Sequence, residues 1–288
     1  MSKRLVKIKD VLEKLYARYN HRSFIKPDPL QFVYQYSNHA DMEIAGFLAA
    51  ELAYGRVQQI EKSLSNLFAR MGPSPYEFVR DFNKKKRQKL NGFKHRFTAG
   101  SDIADLLELL KTAIKQTGGI ESYFARGYSS GDANILPGLQ KFCDSLLEKY
   151  AKTHNGNTTK GLRYLLTLPS DGSACKRLNL FLRWMVRDDD VDTGLWKSID
   201  KAKLIVPIDV HMGRLCKILG LYDRKTVSLA SAIDITKSFT EIEPADPAKY
   251  DFALSRIGIM EDCSGSYRDK CRDCELFGFC WRSSGYRI

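Results

Sequence analysis

The stretch Leu168-Pro169-Ser170-Asp171-Gly172-Ser173-Ala174-Cys175-Lys176 turns the chain and delivers it to a helix. Proline and glycine mark the turn, and Ser173 is the predicted N-cap of a helix that runs to about Arg187. Apolar side chains cover most of this helix. Its polar residues recur at helical spacing and share one face: Lys176, Asn179, Arg183 and Arg187.

Lys176 lies in the first turn of this predicted helix, beside Arg177. The positive end of the helix dipole and the neighbouring cation both favour the neutral amine, which is the nucleophilic form of lysine. The plain alternative is a surface lysine near a helix start. The local pattern alone leaves both interpretations open.

A carboxylate stands in a comparable position further along, in Pro207-Ile208-Asp209-Val210-His211. Asp209 is flanked by apolar residues and precedes a predicted helix, Val210 to Leu219, which Gly220 ends. An aspartate there is ordinarily an N-cap with no chemical role.

Four of the seven cysteines lie together as Cys263-x7-Cys271-x2-Cys274-x5-Cys280. Thiolates that converge on one small volume suit a soft metal, either tetrahedral zinc or a 4Fe-4S cluster. Because only one C-x2-C pair is present, the spacing favours iron–sulfur over zinc. Two disulfides or four buried thiols are the remaining alternatives.

Helical periodicity extends over most of the chain, so the predicted class is all-α. Helices are predicted at Leu5–Tyr19, 42–53, 57–71, 75–83, 101–116, 120–125, 136–151, 176–187 and 210–219. The segment 42–53 is nearly all small or apolar, as in a buried central helix. The basic run Lys84–Lys89 is a solvated loop or helix face, or a phosphate contact. Phe93-Lys94-His95-Arg96-Phe97 interleaves charge with aromatic rings, a pattern compatible with lining a pocket or touching phosphate.

Charge and hydropathy restrict the partners. The 288 residues include 46 Lys+Arg and 34 Asp+Glu, a formal charge of +12 that favours a polyanion. No apolar run reaches 18 residues and the start is charged, so we expect no membrane span and no signal peptide. The expected setting is cytoplasmic and nucleoid-associated, and nothing in the sequence demands more than a monomer.

In combination these motifs resemble the helix-hairpin-helix DNA glycosylase superfamily, typified among its iron–sulfur members by endonuclease III. The resemblance rests on the turn before Lys176, on Pro207–His211 and on the four-cysteine loop. It is supported by Ile44–Glu51, which looks like the buried helix before the DNA-facing wedge, and by Tyr250–Gly258, which looks like the helix leading into the cluster loop. The string Lys176–Trp184 points to a bacterial branch of that superfamily.

The resemblance implies two helical lobes with a helix-hairpin-helix-like element at the cleft between them. One lobe comprises residues 41–205, and the other comprises 1–40 together with 206–288. The second lobe carries the 4Fe-4S loop 263–280. It implies that Lys176 and Asp209 are catalytic in a glycosylase with abasic-site lyase activity on double-stranded DNA. Tyr54-Gly55-Arg56-Val57-Gln58 looks like the wedge segment. The implied DNA-binding residues are Tyr54, Arg56, Gln58, Arg177, Arg183, His211, Arg214, Arg268 and Lys270.

The chain also departs from the common pattern of that superfamily. The hairpin lacks the usual Leu-Pro-Gly-x-Gly, the first cysteine gap is seven, and Asp209 follows Lys176 by 33 positions. A longer separation is similar to the archaeal 8-oxoguanine glycosylases, so the expected lesion is an oxidised purine. Two alternatives stay open: a non-catalytic DNA-binding iron–sulfur protein, and a redox-sensing or RNA-directed protein.

Overall fold

Helices dominate the computed structural model, which describes residues 3–259, 263 and 267–284. With 63% helix and 2% strand, the all-α prediction is confirmed. The α-helices are α1 Lys3–Tyr19, α2 His39–Glu51, α3 Val57–Met71, α4 Pro75–Arg80, α5 Lys84–Lys89, α6 Gly100–Thr117, α7 Ile120–Ala125, α8 Leu136–Thr153, α9 Lys160–Leu165, α10 Lys176–Val186, α11 Val210–Ile218, α12 Leu229–Ile242, α13 Asp251–Ile259 and α14 Phe277–Ser284. Short 3-10 helices span Arg22–Phe24, Pro29–Gln35, Pro169–Asp171, Lys201–Lys203 and Asp269–Asp273.

A two-stranded antiparallel hairpin is formed by β1 (Lys94–His95) and β2 (Thr98–Ala99). Lys94 pairs with Ala99 and His95 with Thr98, so Arg96 and Phe97 form its two-residue tip. The sequence predicted no strand here, because two residues per strand are too few to show alternation.

The central helix is α2, as its apolar composition predicts. Every residue from Glu43 to Glu51 is buried, and the helix contacts α10 and the 3-10 helix Pro29–Gln35. A side chain at Gly46 would place its Cβ 2.8 Å from the Met185 side chain, so the glycine lets α10 lie close against α2. The helix that carries Lys176 is thereby fixed to the middle of the molecule.

Glu43 joins α2 to two distant segments. Its buried carboxylate accepts hydrogen bonds from the backbone N–H of Ile120 at 2.9 Å and of Glu121 at 2.8 Å, which caps the start of α7. It also accepts one from the Trp196 indole at 2.8 Å. Trp196 and Trp184 are both buried in the core.

Buried side chains form one continuous hydrophobic cluster that runs from α1 to the segment before α14. Residues of both predicted lobes contribute to it, with α1 contacting α12 and α13, and α2 contacting α10. The division into two lobes therefore stays a prediction. Within the described ranges, no helix combines the length and the apolar composition that a bilayer span needs.

The far end of α10 is held by a buried network of ion pairs. Arg187, 2% exposed, pairs with Asp192, Asp189 and Asp246. Arg183, also 2% exposed, pairs with the same Asp192 at 3.2 Å and with Asp251 on α13. The polar residues that the sequence places on one face of α10 are therefore buried in the interior, except for Lys176 at the start of the helix.

We expect Arg187→Met to destabilise the protein by about 3–5 kcal/mol, because it removes the buried cation from Asp189 and Asp246 and leaves Asp192 with Arg183 alone. Chemical denaturation followed by circular dichroism measures this. The matched control is Lys197→Met, which breaks the Lys197–Asp188 pair whose side chains are 73% and 71% exposed. The control should change stability by about 1 kcal/mol or less, and equal effects of the two substitutions would contradict a structural role for the network.

Candidate active site

The turn before α10 presents Lys176 in an unusual way. Cys175 is the residue that precedes the helix, with φ of 46°, in the left-handed region that non-glycine residues rarely adopt. The prediction of Ser173 as N-cap is wrong, because its hydroxyl accepts from the Cys175 N–H at 3.1 Å and not from the helix. The Cys175 thiol is buried and donates to the carbonyl of Thr167 at 3.5 Å. This buried thiol anchors the backbone immediately before the lysine.

Asp209 is the N-cap of α11. Its Oδ1 accepts from the N–H groups of His211 and Met212, both at 2.9 Å. The other oxygen, Oδ2, lies 3.3 Å from Lys176 Nζ. The predicted meeting of the amine and the acid is therefore confirmed, whereas their catalytic role stays a prediction.

The environment keeps Asp209 ionised. Burial by itself raises the pKa of this carboxyl, but the Lys176 ammonium and the hydrogen bond from the Met212 amide outweigh it, so the pKa lies below its ordinary value. The side chains of Lys176 and Asp209 are 32% and 40% exposed. Both groups can thus be reached by a ligand while they face each other.

A cavity of about 770 Å³ opens over this pair. That volume is within the range of about 300–1,000 Å³ found for small-molecule sites. Its lining comes from segments far apart in sequence: Pro27–Pro29, Ala53–Ile60, residues 164–183, Pro207–Met212, Val227 and residues 251–259. Residues of both predicted lobes therefore face this cavity.

One wall of the cavity is aromatic. The rings of Tyr54 and Tyr164 meet edge to face with centroids 5.2 Å apart, and the Arg177 guanidinium lies 5.3 Å and 4.5 Å from their respective centroids. Arg177 is buried, pairs with Glu51 at 3.3 Å and donates to the Tyr164 carbonyl. The charge of Arg177 is therefore paired inside the protein, at the wall, and its predicted contact with DNA stays a prediction.

Arg183 also lines the cavity, and its buried guanidinium pairs with Asp192 and Asp251. Nearby, Arg256 is buried and pairs with Asp28 at 2.9 Å. Buried arginines paired with acidic residues thus form the polar interior of the cavity, and DNA contact by Arg183 stays a prediction.

The remaining predicted DNA contacts lie at the surface or beside the cysteines. Arg56, Gln58 and His211 are exposed, and His211 lines the cavity. Arg214 donates to the carbonyl of Cys263 at 2.9 Å and so ties α11 to the cysteine loop. Arg268 is exposed. The side chain of Lys270 lies outside the described part of the structure, and DNA contact by all of these residues stays a prediction.

Electrostatic interactions link the four loop cysteines. Burial raises the pKa of Cys274 and of Cys280, and in both cases the charges of Cys263 and Cys271 raise it further. The backbone N–H of Arg268 donates to the Cys271 sulfur at 3.3 Å. Among the described residues, no group of three or more histidine, cysteine or acidic side chains is arranged so that it could hold a metal ion.

The fold and site define a class: a helical protein with a lysine–aspartate pair at the wall of a large central cavity. Residues 28–260 match the family described as Protein of unknown function (DUF2400). The chain belongs to this family. The matched range contains Lys176, Asp209 and every lining residue of the cavity except Pro27, and it ends before the cysteine loop. No curated protein and no solved structure gives a significant match.

Proposed function

We propose that this protein is a base-excision DNA glycosylase with an associated abasic-site lyase activity, acting on a damaged base such as an oxidised purine. The observation that supports it most is the Lys176–Asp209 pair, 3.3 Å apart at the wall of the cavity. An amine nucleophile and a carboxylate are the two groups that this chemistry requires. The cavity offers room for a single nucleotide turned out of the duplex, which an enzyme must do to reach a glycosidic bond.

In the proposed reaction, the bond between sugar C1′ and the base nitrogen breaks, and its electron pair leaves with the base. The Asp209 carboxylate stabilises the positive charge that develops on the sugar. The Lys176 ammonium gives one proton to the departing base, which becomes neutral, and the resulting amine attacks C1′. As the sugar ring opens, a second proton passes from the nitrogen to the ring oxygen, which leaves a protonated Schiff base. A C2′ proton is then lost to solvent, and the electrons of that C–H bond expel the 3′ phosphate and cleave the strand.

The aromatic wall supports the same proposal. The rings of Tyr54 and Tyr164 offer an apolar surface beside the pair, and the Arg177 guanidinium lies against both rings. Bases stack on aromatic rings and on guanidinium planes, with a contribution of about 1–3 kcal/mol per base. An everted base would therefore have a wall to lie against while its sugar faces Lys176.

We also propose that the loop cysteines hold a 4Fe-4S cluster. The spacing of the four cysteines and the electrostatic interactions among them suit such a cluster, and a backbone N–H is directed at one sulfur. The cluster would brace the loop against α11 through Arg214 and Cys263. Zinc is the alternative that the same donors leave open.

Anaerobically purified protein is expected to absorb in the visible region and to contain about four irons per chain. Cys274→Ser should remove this absorbance and most of the iron, because a hydroxyl is a poor ligand for a soft metal. The matched control is Cys143→Ala, which removes a buried thiol elsewhere in the chain and should leave the iron content unchanged. A colourless protein with one zinc would support the alternative, and the absence of both metals would rule out the site.

The function is tested by borohydride trapping, which converts a Schiff base into a stable covalent adduct. The wild-type protein is mixed with duplexes that carry 8-oxoguanine, an oxidised pyrimidine or an abasic site, and with an undamaged duplex. We expect an adduct with at least one damaged duplex and none with the undamaged one. Salt-dependent DNA binding with no adduct on any duplex would contradict the proposal and favour a non-catalytic DNA-binding protein.

A further inference from the structure

Exposed apolar side chains gather at the mouth of the cavity. Among the described residues, the large hydrophobic side chains that are exposed are Val6, Phe97, Val210, Val227, Ile259 and Tyr267. Three of them, Val210, Val227 and Ile259, line the cavity. Phe97 packs against Tyr164, which lines it as well. These four residues form an apolar rim around the opening, and a concentration of this kind marks a surface that contacts a partner.

Phe97 is the most prominent member of the apolar rim. It is 71% exposed and lies at the tip of the β1–β2 hairpin. Its ring centroid is 6.1 Å from that of Tyr164, with an interplanar angle of 76°. The Arg96 guanidinium lies 5.3 Å from the same ring. The tip thus places a phenyl ring and a cation side by side at the mouth, a combination suited to bases and phosphates.

The hairpin behind this tip is held by buried hydrogen bonds. The Tyr54 hydroxyl donates to the His95 carbonyl at 2.8 Å and lies 2.7 Å from the Thr98 hydroxyl. His95 is fully buried, and its Nε2 lies 3.0 Å from the Tyr54 carbonyl, which can only accept, so Nε2 carries the proton. Its Nδ1 lies 2.9 Å from the Ser63 hydroxyl. The tip is therefore presented rigidly.

Gly55 lets the tip lie against the connection between α2 and α3. Its φ is +100°, and a Cβ there would come within 2.7 Å of the Arg96 side chain. Tyr54, which the sequence placed in the wedge, has its hydroxyl bound to the hairpin and its ring in the cavity wall. It is not available to leave the wall and enter a duplex.

We propose that Phe97 is the wedge that enters the base stack in place of the everted nucleotide, with Arg96 on an adjacent phosphate. This inference rests on the proposed function. Apolar side chains inserted between base steps fill the space that an everted base leaves, and they hold the duplex open. The chain's charge of +12 favours a duplex as the occupant of this mouth.

The test compares binding to two duplexes of the same sequence, one intact and one with a tetrahydrofuran abasic analogue. We expect the wild type to prefer the analogue, and Phe97→Ala to lose about 10-fold to 100-fold of affinity for the analogue only. Phe97→Trp should keep the preference, and its fluorescence should change on the analogue and not on the intact duplex. Val6→Ala, which removes exposed apolar surface away from the cavity, is the matched control and should behave as wild type.

Three results would overturn the assignment of Phe97 as the wedge. They are no preference of the wild type for the analogue over the intact duplex, an unchanged preference in Phe97→Ala, or equal losses of affinity for both duplexes in Phe97→Ala. Borohydride trapping on a single-stranded abasic oligonucleotide tests the lyase activity independently of the wedge. No stacked partner has to be opened there, so Phe97→Ala should form as much adduct as the wild type. A wild type that prefers the analogue through Phe97 but forms no adduct would refute the lyase and leave the wedge standing.

Discussion

Replacing Lys176 by alanine is expected to abolish the borohydride adduct and to lower strand cleavage at abasic sites by at least about 10³-fold. The reason is that the side-chain amine supplies the only nitrogen of the reacting pair. DNA binding should change little, because the cation is paired with Asp209 at 3.3 Å and is not a free surface charge. Single-turnover cleavage and adduct yield measure the two effects.

Two further variants make this result specific to the nucleophile. Lys176→Arg keeps a cation facing Asp209 but cannot become a neutral amine, so it should bind DNA as the wild type does and form no adduct. Lys160→Ala removes an exposed lysine at the same position of another helix, the first residue of α9, and should keep full activity. An adduct that persists in Lys176→Ala would show that a different amine reacts.

Asp209→Asn is expected to slow base release by about 10²-fold to 10³-fold, the range found when one group that stabilises transition-state charge is removed. Asparagine caps helices as well as aspartate does, so the hydrogen bonds to the N–H groups of His211 and Met212 should survive the change. The substitution therefore removes the negative charge and leaves the fold of α11 in place. Single-turnover release of the damaged base measures the effect.

The control for this substitution is Asp200→Asn, at an exposed aspartate that caps the 3-10 helix Lys201–Lys203 away from the cavity. It should leave the rate of base release unchanged. Because the pKa of Asp209 is lowered, its carboxylate stays ionised as the pH falls from 8 to about 5, and protonation of Asp209 should not cause any loss of activity in that range. Equal rates in Asp209→Asn and the wild type would remove the carboxylate from the mechanism.

Much of the fold follows from local patterns in the sequence. The mostly apolar run that became α2 and the periodic runs that became α3 and α7 predict helices at or near the observed boundaries, because side-chain periodicity is a local property of the sequence. The β1–β2 hairpin could not be predicted from local patterns in the sequence. Its position depends on Tyr54 and Ser63, which are more than thirty residues away in the chain.

The candidate site likewise contains residues that could be predicted from the sequence and residues that could not. Asp209 as an N-cap can be predicted from sequence, and its meeting with Lys176 was expected from the resemblance to the glycosylases. The burial of Arg183 could not be predicted, because the carboxylates that pair with it, Asp192 and Asp251, come from other segments. Tyr164 was missed, since a single tyrosine on the six-residue helix α9 carries no periodic signal.

The central claim is that the Lys176 nitrogen bonds to the sugar of a nucleotide held in the cavity. The most direct measurement is peptide mapping by mass spectrometry of the borohydride-trapped complex, after nuclease digestion of the DNA. We predict that the reduced sugar fragment lies on Lys176 and that Asp209→Asn leaves its position unchanged. A fragment on any other lysine or on the chain's amino terminus, or no modified peptide from a complex that cleaves DNA, would contradict the account.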